Sequence, residues 1–95
     1  MTLRFHSAAR DELIESAMYY EAARPGLGEM FRDSVQAVLD SVMEHSEIGA
    51  PSGSVRKVAV RGFPYDVVYR MVPSGIEILA LAHHRRRPGY WKGRA

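Results

Sequence analysis

Ninety-five residues, of which 46% are hydrophobic and 25% charged, suffice for one domain with a single core and exclude a disordered chain. The net charge of +2 is unevenly distributed, because residues 10–47 carry nine acidic and three basic side chains, whereas residues 56–94 carry nine basic and two acidic ones. There is no cysteine, the first residues lack the apolar core of a signal peptide, and no apolar run reaches the ~20 residues that a membrane span needs, so we expect a cytoplasmic protein without disulfides or membrane contact.

The N-terminal half predicts a short strand followed by two amphipathic helices. Residues 2–6 alternate between apolar and polar side chains, and the Ser7 hydroxyl is expected to cap the following helix. Apolar residues recur at helical spacing over residues 8–23 and again from Leu27 to His45, on either side of a proline- and glycine-rich break. On the first helix, a solvent-exposed outer face is expected from Arg10, Glu12, Glu15 and Glu21.

The C-terminal half predicts a loop and then three strands. The composition of residues 48–54 is typical of a loop, and the strands are expected at Val55–Val60, Tyr65–Val72 and Ile76–Ala82. Short turns make these strands an antiparallel meander, with which the N-terminal strand can pair in parallel. The predicted fold is α+β, in the order β-α-α-β-β-β, with a helical hairpin on one face of a small, mostly antiparallel sheet and a single domain over residues 1–95.

The last predicted strand ends in a basic and aromatic run, residues 83–91, with the sequence HHRRRPGYW. Cationic and aromatic groups at one sheet edge suit a flat anionic ligand or an acidic protein surface. Metal-independent RNA cleavage would also need such groups, as a base, an acid and cations for the phosphate charge. Alternatively, Tyr65 and Tyr69 pack the sheet, Trp91 covers its end and the arginines are solvated.

Cofactor and metal chemistry is not expected. The sequence contains no glycine-rich phosphate loop, no HExxH and no GxSxG. His83 and His84 are neighbours in a strand, so their side chains are expected on opposite faces, where they cannot share a metal ion.

Several segments, in this order, resemble the RelE/ParE superfamily of type II toxins, and most closely its ParE-type or plasmid stabilisation group. They are Tyr19-Tyr20-Glu21, Pro25-Gly26-Leu27-Gly28, Phe63-Pro64-Tyr65 and His83-x-Arg85-Arg86-x-Pro88-x-Tyr90-Trp91. The similarity spans roughly residues 3–91. It implies a growth-arresting toxin held in a hetero-oligomer by a cognate antitoxin, whose acidic or amphipathic C-terminal segment wraps it. An exposed apolar groove is expected to receive that segment.

The resemblance implies one of two targets. RelE-like members cut mRNA at the ribosome without a metal, whereas ParE-like members poison DNA gyrase. If the chain is a nuclease, the candidate catalytic residues are Arg61, His83, Arg85, Arg86 and Tyr90. The candidate residues for binding a target or partner are Lys57, Arg70, Arg87 and Trp91.

Some nuclease positions depart from the pattern that the resemblance implies. Asp66 follows Tyr65 where nuclease members place a phosphate-binding arginine, and a carboxylate there would repel phosphate. Ala59 stands where a second lysine is expected, and the C-terminal arginine falls on either His84 or Arg85. The sequence therefore favours gyrase inhibition over mRNA cleavage, with a non-toxic partner-binding module of the same fold as a further alternative.

Overall fold

A computed structural model describes residues 2–94 as a strand, two helices and four further strands. The elements are β1 (Thr2–Phe5), α1 (Ser7–Ala23), α2 (Leu27–Glu44), β2 (Ala50–Ser52), β3 (Val55–Ala59), β4 (Tyr65–Val72) and β5 (Gly75–His83), followed by a 3₁₀ turn at Lys92–Arg94. Among residues 2–94, no helix has the apolar length needed to cross a membrane.

The strands form one five-stranded sheet in the order β1-β5-β4-β3-β2. β1 lies parallel to β5, with Thr2 opposite Gly75 and Phe5 opposite Ile78, and the remaining neighbours are antiparallel. The predicted α+β fold, the meander and the parallel pairing of the N-terminal strand are all confirmed.

The prediction of a plain loop over residues 48–54 is wrong, because Ala50–Ser52 forms β2. This strand pairs antiparallel with β3, from Ala50 opposite Lys57 to Ser52 opposite Val55, across a turn at Gly53-Ser54. Pro51 is compatible with a strand here because β2 is an edge strand, where a missing N–H need not be paired. Gly53 has a φ of 63°, which suits glycine in so tight a turn.

The start of α1 also differs from the prediction. His6, rather than Ser7, is the N-cap residue, and its Nδ1 accepts a hydrogen bond from the Ala8 N–H at 3.1 Å. Glu21, predicted on the outer face, is exposed but accepts hydrogen bonds from the N–H groups of Gly26 and Gly28 at 2.9 and 3.0 Å. Its carboxylate therefore joins the end of α1 to the start of α2, where a negative charge complements the helix dipole.

The helical hairpin packs on one face of the sheet. Phe31, Val35 and Val42 of α2 are buried together with Tyr69 and other inward-facing residues of β4 and β5. Phe31 contacts an aromatic cluster whose ring centroids lie 5.0–5.1 Å from its own, formed by Tyr20, Phe63 and Tyr65. This cluster lies under the turn between β3 and β4.

The opposite face of the sheet is covered by residues 84–94, which we call the C-terminal segment. Trp91 is only 6% exposed and packs with Val68, Leu79, Ala80 and other residues of a second, smaller core. The sheet is therefore buried on both faces near its centre, and the C-terminal segment is part of the folded structure.

Candidate functional site

The candidate site lies at the sheet end where β4 begins and β5 finishes. His83 pairs with Tyr65 across these strands, and the His84 N–H donates to the Pro64 carbonyl at 2.8 Å. The turn that carries Arg61 therefore lies at the same end as residues 84–87, which we call the arginine loop. Arg61, Arg85 and Arg87 are exposed and take part in none of the ion pairs found within residues 2–94.

A cleft of about 200 Å³ opens between the sheet and the C-terminal segment, which includes the arginine loop. The Lys57 ammonium lies 4.7 Å from the Trp91 ring centroid, and the Arg86 guanidinium lies 3.9 Å from the Tyr90 ring centroid. Such cation–π contacts hold the cations over aromatic faces at the cleft wall. The polar and aromatic lining consists of Lys57, Asp66, His83, His84, Arg86, Tyr90 and Trp91.

Asp66 places a carboxylate in this cationic cleft. Its Oδ1 lies 3.1 Å from His84 Nε2, and His84 belongs to the arginine loop. The pair ties the loop to the start of β4, while the negative charge opposes phosphate binding in the cleft.

The hydroxyl of Tyr90 is hydrogen-bonded to a carboxylate. It donates to Glu12 Oε2 at 2.8 Å. Burial of the ring, together with this hydrogen bond to a negative charge, raises the pKa of Tyr90 well above its ordinary value. A hydroxyl bound in this way is poorly placed to exchange a proton with a substrate.

Glu12 is the centre of a partly buried polar network, and its predicted place on a solvated outer face is wrong. Its carboxylate accepts two hydrogen bonds from the Arg94 guanidinium, both at 2.9 Å, and one from the Leu81 N–H at 3.0 Å. Arg94 also donates to the Leu79 carbonyl at 2.9 Å. We call Glu12, Tyr90 and Arg94, with the backbone groups of Leu79 and Leu81, the C-terminal clamp.

The charges of the clamp stabilise each other. Burial works to raise the pKa of Glu12, but hydrogen bonds from Arg94, the Leu81 N–H and Tyr90 together hold it below its ordinary value. The hydrogen bond to Glu12, opposed by burial, raises the pKa of Arg94. Both groups are therefore charged in the folded protein near neutral pH.

The structure brings some predicted site residues together and separates others. Lys57, His83, Arg86 and Tyr90 line one cleft, whereas Arg70 lies nearer the other end of β4 and pairs with the buried Glu77 at 2.8 Å. The predicted packing role of the β4 tyrosines is confirmed, because Tyr65 and Tyr69 are 7% and 0% exposed.

Neither Glu12 nor Arg94 was among the candidate site residues predicted from the sequence. Their separation of 82 positions gives no periodic signal, and only the three-dimensional arrangement joins them. Within residues 2–94, no group of three or more His, Asp or Glu side chains could hold a metal ion.

A strand, a helical hairpin and a sheet whose last strand delivers cations and aromatics to one edge match the fold that the resemblance to RelE/ParE type II toxins implies. The family model for the "ParE toxin of type II toxin-antitoxin system, parDE" matches residues 3–88, and the chain therefore belongs to the ParE toxin family. The resemblance predicted from the sequence is confirmed.

Relatives and solved structures agree with this assignment. The chain is 32% identical over 88 residues to Toxin ParE2 of Mycobacterium tuberculosis, in strains CDC 1551/Oshkosh and ATCC 25618/H37Rv, and the alignment covers 90% of this chain and 84% of the relative. It also matches a structure described as the chromosomal ParDE TA system from P. aeruginosa, with a TM-score of 0.67 and 21% identity over 87% of this chain and 95% of that one. At that identity the match establishes the fold.

Proposed function

We propose that this ParE-family toxin arrests growth by inhibiting DNA gyrase and is neutralised by a cognate antitoxin. The choice of gyrase over mRNA as the target rests on two residues at positions that a nuclease would use. Asp66 places a negative charge in the cleft, and the Tyr90 hydroxyl is bound by Glu12.

The exposed cations then contact a protein target instead of a scissile phosphate. Arg61, Arg85 and Arg87 project from one sheet end without intramolecular ion pairs among residues 2–94, so they lose no partner on binding. An acidic patch on the target would complement them and accelerate association. Lys57, Arg86 and Trp91 line the neighbouring cleft, whereas Arg70 lies nearer the other end of β4; their contribution to target or partner binding stays a prediction.

A groove between β1, α1 and α2 is the proposed antitoxin site. It has a volume of about 620 Å³ and is lined by Leu3, Phe5, Leu13, Ile14, Ala17 and Met18, with arginines beside them. Ile14 and Met18 are 48% and 66% exposed, which is unusual for large apolar side chains grouped on one helix. An amphipathic, acidic segment would cover these residues and pair with Arg4, Arg10 and Arg32.

Expression of the chain in a bacterial host, with and without its antitoxin, tests this proposal. We expect filamentation and DNA-damage signalling without the antitoxin and normal growth with it. In purified assays, the chain should block gyrase supercoiling and leave ribosome-bound mRNA intact. Cleaved mRNA with active gyrase would instead establish the nuclease function, and normal growth with soluble protein would leave a partner-binding module.

A double variant, Arg85→Ala with Arg87→Ala, locates the target surface. If each arginine contributes even ~0.7 kcal/mol to binding, gyrase inhibition should weaken about tenfold. Arg24→Ala is the matched control, because Arg24 is an exposed arginine in the link between the two helices. Equal inhibition by the double variant and the control would remove the arginine loop from the target surface.

A further inference from the structure

The C-terminal clamp completes the open edge of β5. β1 pairs with β5 only as far as Ile78, and the register with β4 then passes from Ile78 to Ala80, so that Leu79 forms a β-bulge. Beyond that point, Arg94 donates to the Leu79 carbonyl and Glu12 accepts from the Leu81 N–H. Side chains thus satisfy backbone groups that a longer β1 would otherwise pair.

The clamp also fixes the position of the C-terminal segment. The Glu12 carboxylate, on α1, binds Tyr90 and Arg94, which lie at the far end of that segment. Arg86 lies against the Tyr90 ring, and its Nη1 is 4.0 Å from Glu12 Oε2. One carboxylate on a helix is therefore connected, through Tyr90, to the middle of the arginine loop.

The clamp depends directly on the carboxylate of Glu12. Arg94 and Tyr90 both donate to the same carboxylate, and the side chains of Glu12 and Arg94 are only 14% and 16% exposed. An amide at position 12 would lose the charge and direct an N–H₂ group at one of these donors. Water has little access to replace the lost contacts.

We propose that Glu12 is a positioning residue for toxicity: it holds residues 84–94 against the sheet and thereby presents the arginine loop to the target. This inference rests on the proposed function in one respect, that the arginine loop contacts the target, and it does not depend on which target is bound. Glu12 itself does not contact the target, because it lies on α1 with its carboxylate enclosed by the clamp.

Trp91 provides a direct readout of the clamp. It is the single tryptophan of the sequence and is buried between Tyr90 and the sheet, so its fluorescence reports whether the C-terminal segment is seated. We would compare Glu12→Gln with Glu15→Gln, since Glu15 is an exposed carboxylate on the same helix. Each variant is scored for Trp91 emission and acrylamide quenching, helix content, antitoxin binding and growth arrest.

For Glu12→Gln we expect red-shifted and more quenchable Trp91 emission, retained helix content and antitoxin binding, and growth arrest weakened at least about tenfold. Glu15→Gln should match the parent chain in all measurements. Arg94→Gln should reproduce the Glu12→Gln effects, and combining the two should add little, because both break the same interaction. If Glu12→Gln fails to fold, Tyr90→Phe, which removes only the hydroxyl, gives a milder loosening of the same clamp.

Two results would overturn the inference. One is full growth arrest by a Glu12→Gln chain whose Trp91 has become exposed, since a displaced loop would then be harmless. The other is lost growth arrest with unchanged Trp91 emission, or with antitoxin binding lost in parallel, which would assign Glu12 a different role or a general one in stability. If the parent chain arrests no growth, the proposed function fails, while the fluorescence comparison still decides whether Glu12 holds the segment.

Discussion

Replacement of Phe31 by alanine should be among the most destabilising single changes in this protein. The side chain is fully buried and its ring lies 5.0–5.1 Å from three other aromatic rings, those of Tyr20, Phe63 and Tyr65. A buried Phe→Ala change costs about 3–5 kcal/mol of unfolding free energy, and lost ring contacts favour the upper half of that range. For a domain of this size, that corresponds to a fall in Tm of roughly 15–30 °C.

Met30→Ala is a close control, because Met30 precedes Phe31 on α2 and is 55% exposed. Urea unfolding of the purified chain, followed by circular dichroism, should leave the control within about 0.5 kcal/mol of the parent. Because the aromatic cluster supports the turn that carries Arg61, Phe31→Ala should also weaken growth arrest. A loss below about 1 kcal/mol would refute the reasoning, because it would mean that the cluster relaxes around the cavity.

Other predictions concern the loop before β2, the clamp and the first strand. Tyr69→Phe should cost about 1–3 kcal/mol of unfolding free energy in urea, because the buried hydroxyl donates to the Ser46 carbonyl and accepts from the Gly49 N–H, both at 2.9 Å; a cost near zero would show that water replaces it. The folded-state pKa of Glu12 lies below its ordinary value of 4.5, so the clamp stabilises the fold fully above about pH 4.5 and loses this effect as the pH falls through the folded-state pKa. The free energy of unfolding, measured between about pH 3 and 5, should therefore change less with pH for Glu12→Gln than for the parent chain. Equal pH dependence in the two proteins would contradict the assignment of this effect to Glu12. Gly75→Ala should raise amide hydrogen exchange throughout β1, because φ is 149° and the added Cβ would collide with the Thr2 backbone; unchanged exchange would mean that β1 adapts.

Periodicity predicted the helices, and β-branched and aromatic composition between turn residues predicted the long strands, because each signal extends over many residues. The second helix, predicted from Leu27 to His45, is observed at Leu27–Glu44, and the strand predicted at Tyr65–Val72 is observed with the same bounds. β2 could not be predicted in this way, since three residues with a central proline hold no alternation. Its existence depends on the pairing with β3, which is a tertiary property.

The candidate site was predicted only where the contributing residues are close in the sequence. The run from His83 to Trp91 identified the cationic edge, and the likeness of four segments, in their order along the chain, to ParE-type toxins identified the family. Glu12, however, has the helical position of an outer-face residue, and its charge alone suggests contact with water. Its burial follows from the C-terminal segment returning to α1, which no local rule contains.

The long-range contacts that complete this sheet also determine when the protein can fold during synthesis. The first strand pairs with residues 73 positions later, from Thr2 opposite Gly75, and Glu12 binds a partner 82 positions away. Contacts of such separation close late and slow folding, because the intervening chain must be ordered before they form. A nascent chain that stops short of Arg94 therefore lacks both the clamp and the seated arginine loop. Both the arginine loop and the groove wall that β1 forms therefore take shape only after residues 75–94 have been synthesised.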